Sequence, residues 1–236
     1  MEDIHDTQKN ILDVNLTDQY HTAEELFELS QSGPVYYTLL IIASVIVGAG
    51  LLLQNDAVVI GGTLVAPLLV PLLFISLALA AGRPRLLPRV FSLLMRSTAV
   101  VIVAGLLLGF FFGSIPITLF SGNIERAAIL YLLVAFAAGA AGAFAWARKD
   151  VAEVLPGIAL AVTILPPLSA VGISLEQLDV QALRYFLIIF VFNVVGILAG
   201  ALVVFSLLKF YRTGDVLEMH ERKQKEEEEQ KEEVVK

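Results

Sequence analysis

Long apolar runs with no polar face govern what this chain can fold into. Residues 36 to 53 and 90 to 113 are apolar almost all the way round. Neither could turn a solvated side to water, as an amphipathic surface helix does. Apolar residues make up 57% of the chain, and its charges are gathered into short runs. That pattern belongs to lipid and not to a soluble core.

A bilayer core about 30 Å thick takes roughly 20 apolar residues in a helix. Six stretches qualify: residues 36–53, 57–81, 90–113, 127–147, 151–174 and 185–208. The breaks between them carry turn and charge signals, including Gln54-Asn55-Asp56, Gly82 to Arg89, Ser121-Gly122-Asn123, Arg148-Lys149-Asp150 and Glu176 to Asp179. The expected domains are an acidic N-terminal segment (1–34), a six-span body (35–210) and a charged C-terminal tail (211–236).

Threading six spans places Arg83, Arg85, Arg89, Arg148, Lys149, Lys209 and Arg212 on one side of the membrane. The other side has Arg126 and Arg184. Basic loops stay cytoplasmic during insertion, so both termini are expected in the cytoplasm of a cell whose plasma or inner membrane holds the protein. Arg96, inside the third span, can snorkel to the headgroups. Acidic residues precede the first apolar run where a signal peptide would be basic, so that span is expected to be retained. A rival topology, with the second and fifth segments as re-entrant hairpins, would scatter the basic residues over both faces.

The segment Thr63-Leu-Val-Ala-Pro67-Leu68 lines up with Thr163-Ile-Leu-Pro166-Pro167-Leu168. A duplicated unit of three spans must insert its second copy upside down. The fold expected is therefore all-α: a transmembrane bundle of two inverted repeats, about 36–113 and 127–208, with broken second and fifth helices. Transporters of that design build a site near the midplane where the broken helices meet. Proline removes an N–H donor and clashes with the preceding turn, freeing carbonyls that lipid cannot satisfy. Candidate solute or ion ligands are thus Thr63, Pro67, Pro71, Thr163, Pro166, Pro167 and Ser169, with Ser76 close by.

Asn193 lies deep in the sixth span, where its amide needs a partner in protein or water. Asn55 and Asp56 at the start of the second span, and Glu153 at the start of the fifth, are gate candidates; the alternative is helix-start carboxylates favoured by the helix dipole. Gly105, Gly109 and Gly113 in the third span, and Gly196 and Gly200 in the sixth, recur at four-residue spacing and suit close helix packing, within a chain or between subunits.

There is no Cys, and the three His residues all lie in the terminal segments. No nucleophile–base pair, metal cluster or phosphate-binding loop is evident, so neither an enzyme nor a cofactor is expected. The net charge of −7 comes largely from the tails and gives no footing for nucleic acid. Thr22 and Glu25 are spaced as a capping box, predicting a short helix over 22–29. The C-terminal Glu/Lys run reads as solvated.

At Asn55-Asp56-Ala-Val-Val-Ile-Gly-Gly-Thr63-Leu-Val-Ala-Pro67-Leu-Leu-Val-Pro71, and again at Leu155-Pro-Gly-Ile-Ala-Leu-Ala-Val-Thr163-Ile-Leu-Pro-Pro167-Leu, the chain resembles the prokaryotic membrane family called domain of unknown function 389. Phe192-Asn193-Val-Val-Gly-Ile fits the same family. The resemblance covers roughly residues 36 to 208 and implies a bacterial or archaeal integral membrane protein, without an activity. The function expected is a small transporter or channel for a neutral solute or monovalent cation, working as a homo-oligomer in lipid. The alternative is a non-transporting scaffold or sensor that assembles through its glycine faces.

Overall fold

The computed structural model describes residues 14–31, 33–113, 124–148, 164–215 and 217–220, with Arg222 and Glu226. All regular structure among them is helical. The helices are α1 (Leu16–Leu29), α2 (Pro34–Leu52), α3 (Asp56–Val65), α4 (Leu69–Ala80), α5 (Leu87–Phe112), α6 (Ile124–Ala147), α7 (Leu165–Glu176) and α8 (Val180–Leu207). Short 3-10 turns, Pro84–Leu86 and Phe210–Thr213, precede α5 and follow α8.

Four of these helical stretches are long and apolar enough to cross a membrane: α2, Pro84–Phe112, α6 and α8. The expected second span is two helices, α3 and α4, bent by 54° at a break, and the pair counts as a fifth candidate span. The expected fifth span is represented by α7 alone, whose 12 residues rise only about 18 Å. Residues 151–163 of that stretch, with Glu153 and Thr163, lie outside the described residues. α8 starts earlier than its apolar run, because the Asp179 side chain caps it by accepting from the backbone N–H groups of Gln181 and Ala182.

Close contacts fix the directions of the helices. The Tyr36 and Ser97 hydroxyls are 2.9 Å apart, and Gly48 faces Leu108, so α2 and α5 run the same way. Gly105 lies against Ser169 and Gly109 against Ile173, which makes α7 parallel to α5. Gly196 meets Leu132 and Ala135, and Gly200 meets Phe136 and Ala140, so α6 and α8 are also parallel. Gly50 packs on Val59 and Gly62 on Val47, folding α3 back along α2 as an antiparallel hairpin. Small residues let these backbones approach as larger ones could not. Gly113, expected among the packing glycines, does something else: with φ +92° and open space around it, it caps the end of α5.

The ends of α4, α6 and α8 meet at one end of the molecule, with α1 laid across them. Thr22 Oγ1 donates to the Trp146 carbonyl at 3.1 Å, and Gln19 Nε2 donates to the Leu208 carbonyl at 3.1 Å. Ala23, Leu26 and Phe27 of α1 are buried with Leu73, Phe74 and Leu77 of α4. The helix expected over 22–29 is thus longer than its capping signal suggested. Asn15 is the N-cap, and Thr22 spends its hydroxyl on a neighbouring helix. Phe210, Thr213 and Leu217 are buried as well, so the first residues after α8 pack with the bundle, ahead of the C-terminal Glu/Lys run. Arg83, Arg85, Arg148, Lys209 and Arg212 adjoin these ends, and this end is called the basic end below.

Candidate functional site

The site begins at a turn. Gln54 adopts φ 53°, and the Asn55 N–H donates to the Gly50 carbonyl, which closes α2. The Asn55 side chain then accepts from the N–H groups of Ala57 and Val58, at 3.1 and 3.3 Å, to start α3. Asp56 follows, exposed in the first turn of α3, where the helix dipole favours an acid. Asn55 and Asp56 therefore sit at the end of the bundle opposite the basic one, in the geometry of a helix start.

From there α3 descends ten residues and stops. Ala66 is extended, at φ −74° and ψ 125°, as the residue before a proline prefers. Pro67 occupies the break itself, and α4 resumes at Leu69 with Pro71 in its first turn. α7 opens similarly, with Pro166 and Pro167 as its second and third residues. Pro67 and Pro71 thus lie at a break and in the first turn of a new helix instead of kinking a continuous one, and Pro166 and Pro167 fall in the first turn of α7 as described. In a first turn the missing N–H removes a donor that would have no intrahelical acceptor anyway.

The two openings come together at mid-depth. Leu68 and Leu72 of the break share one buried cluster with Ile164, Leu165 and Leu168 at the start of α7. The same cluster takes Leu40, Ala43 and Val47 from the middle of α2, Ala135 and Ala138 from α6, and Ile197 from α8. Pro67 and Pro166 are each only half-buried, whereas Pro71 and Pro167 are buried.

The polar candidates divide. Thr63 is nearly buried and donates to the Val59 carbonyl one turn back, at 2.8 Å. Ser76 bridges helices, donating to Leu72 and to the Leu198 carbonyl of α8 at 3.1 Å. Ser169, in the second turn of α7, is 0% exposed, and its Oγ has no hydrogen-bond partner among the described residues. A buried hydroxyl left so costs about 1–3 kcal/mol, a strain that water or a solute would relieve. Asn193 is 1% exposed on α8, one turn before Gly196. Arg96 is exposed on α5. Among the described residues no cluster of His, Cys, Asp or Glu could hold a metal ion. Sequence spacing gives no signal for the buried Tyr36–Ser97 pair that ties α2 to α5.

A family model described as domain of unknown function (DUF389) matches residues 63–199, more than half of the chain. The chain belongs to this family. The matched segment starts at Thr63, just before the break, and ends within α8, so it holds both proline motifs and Asn193. An uncharacterized protein of Methanocaldococcus jannaschii is 26% identical over 190 residues, which cover 79% of this chain and 57% of the archaeal one. The chain thus spans little more than half the length of that relative. No solved structure matches.

Proposed function

We propose that this DUF389 protein is a small membrane transporter or channel whose solute passes the midplane where the α3–α4 break meets the start of α7. That meeting is the observation that carries the reading. The α3–α4 break and the proline-led first turn of α7 at one depth, with Thr63, Pro67, Pro167 and a buried Ser169 hydroxyl that has no partner among the described residues, suit a solute exchanging hydrogen bonds with backbone and hydroxyl groups. The N-termini of α4 and α7 bring partial positive charge to this depth, which favours a neutral polar solute over a bare cation.

The proposed architecture is six spans in two inverted units, 36–113 and 127–208, with α7 as the second half of the fifth. Helix directions support it. First and third spans run parallel in each unit, as α2 with α5 and α6 with α8. Each broken span also packs across: α4 meets α8 through Ser76, and α7 meets α5 through Gly105. α6 ends at the basic end and α8 begins at the other, so the chain between them makes one net crossing. The positive-inside rule supports a cytoplasmic basic end, and the archaeal relative supports a prokaryotic cell membrane as its place.

The half-buried break supports a homo-oligomer. Irregular backbone at membrane depth must be covered by protein or line a cavity, and one chain leaves Ala66 and Pro67 partly open. The scaffold alternative has less support, because Gly105, Gly109, Gly196 and Gly200 all face helices of the same chain.

Flux into proteoliposomes tests the proposal. Shrinkage and reswelling under gradients of urea, glycerol and larger polyols should be faster than in protein-free vesicles, and Ser169→Val should slow it at least severalfold. Permeation of monovalent cations with none of the polyols would move the solute class to ions. Protein-free rates for every solute and ion would remove the transport reading.

A further inference from the structure

We propose a second site, independent of the midplane: a phosphate-binding pocket at the basic end, built by the α4–α5 connection and the segment after α8. A cavity of about 660 Å³ opens there, lined by Arg83, Arg85, Leu86, Glu218 and Arg222 among others. Three guanidinium groups on one cavity exceed what a solvated basic loop requires, and the ion pairs show how they are held. Arg83 Nη1 donates to Glu218 Oε2 at 2.5 Å and Nη2 to Asp215 Oδ1 at 2.6 Å. The other oxygen of Glu218 accepts from Arg222 at 3.1 Å.

Glu218 thus fixes two arginines side by side, and Arg85 has no acidic partner among the described residues. Among the described residues, three guanidiniums against two carboxylates leave one positive charge at the cavity. The N-terminus of the helical stretch Pro84–Phe112 opens at the same place and adds its dipole. Planar guanidinium forks bind phosphate oxygens in pairs, which a lone ammonium cannot do. The pocket adjoins the end of α4, at the level where the inner-leaflet headgroups are expected. Its ligand chemistry is a phosphate group, carried either on a lipid headgroup or free in solution.

The experiment is ligand-dependent thermal unfolding of the full chain in uncharged detergent. The probes are dihexanoyl phosphatidic acid, inorganic phosphate and, as a zwitterionic control, dihexanoyl phosphatidylcholine. At least one of the first two should raise the midpoint saturably, beyond the control. Arg85→Gln with Arg222→Gln should weaken that effect about tenfold or more, the loss of one or two charge-assisted bonds. Lys209→Gln, a basic change outside the pocket, should leave it unaltered. Both exchanged arginines are exposed, so the ligand-free midpoint should hold; Arg85→Gln alone, weakening binding severalfold, serves if the double variant unfolds.

A response to phosphatidic acid alone assigns a lipid headgroup, and an equal response to inorganic phosphate assigns the free anion. The proposal is overturned if neither probe acts saturably, if the arginine variants bind like the parent, or if Lys209→Gln loses as much. None of these readings depends on solute flux, so this site and the midplane site can fail separately.

Discussion

At Gly200 a methyl group would sit 2.0 Å from the Phe136 carbonyl oxygen, closer than any rotamer change could relieve. Backbone is on both sides of that contact, so a larger residue must push α6 and α8 apart. Gly200→Ala is expected to destabilise the protein by about 1–3 kcal/mol, read as a lower unfolding midpoint in detergent. Gly61→Ala offers the contrast: nothing lies within 4 Å of the added carbon. That change should be neutral or slightly stabilising, since alanine suits a helix better than glycine by up to about 1 kcal/mol. Ser169→Ala should also leave stability intact or raise it by about 1 kcal/mol, because it removes a buried hydroxyl with no partner among the described residues, yet it should reduce solute flux. At this scale the sequence was informative where chemistry is local. Proline spacing located the break between α3 and α4, and glycine spacing the close contacts of α5 and α8. It could not distinguish Gly109, pressed against Ile173, from Gly113, an open cap, because both continue the same four-residue row.

Among the helices, α1 departs most from its sequence reading. The sequence predicts only a short helix over 22–29, but the apolar face of α1 closes over α4, and two of its side chains bond to backbone of α6 and of the chain just beyond α8. Partners so distant in sequence leave no periodic trace, and a capping-box spacing at Thr22 misled because the true cap is Asn15. Thr22→Val is expected to cost about 1 kcal/mol through loss of the bond to Trp146 and to speed proteolytic cleavage within α1. Removing residues 1–30 should do much more. It would uncover Phe74 and Leu77, and the truncated protein is expected to aggregate or lose its cooperative transition in detergent. Tail deletion therefore cannot separate a transporter from a scaffold, as a freely solvated tail would have allowed.

For the molecule as a whole, hydropathy sufficed to identify a helical membrane protein and to locate its apolar segments, since lipid leaves few alternatives. It could not show that the second segment is two helices at 54°, or that α2 and α5 share a direction with α7. Those features depend on which faces meet, and nearly uniform apolar helices carry little facial information. Transport through the midplane requires that the meeting of the α3–α4 break with the start of α7 be wet. The chain has no Cys, so single replacements Thr63→Cys, Pro67→Cys, Pro167→Cys, Ser169→Cys and Asn193→Cys can each be tested in membranes with a water-soluble, membrane-impermeant thiol reagent. Controls at exposed Asp56 and at Phe111, an exposed apolar side chain of α5 expected to face lipid, set the upper and lower limits. Labelling at Thr63, Pro67 and Ser169 approaching that at Asp56, and slowed by a permeant solute, is the predicted result; protection of all five positions to the level of Phe111 would contradict it.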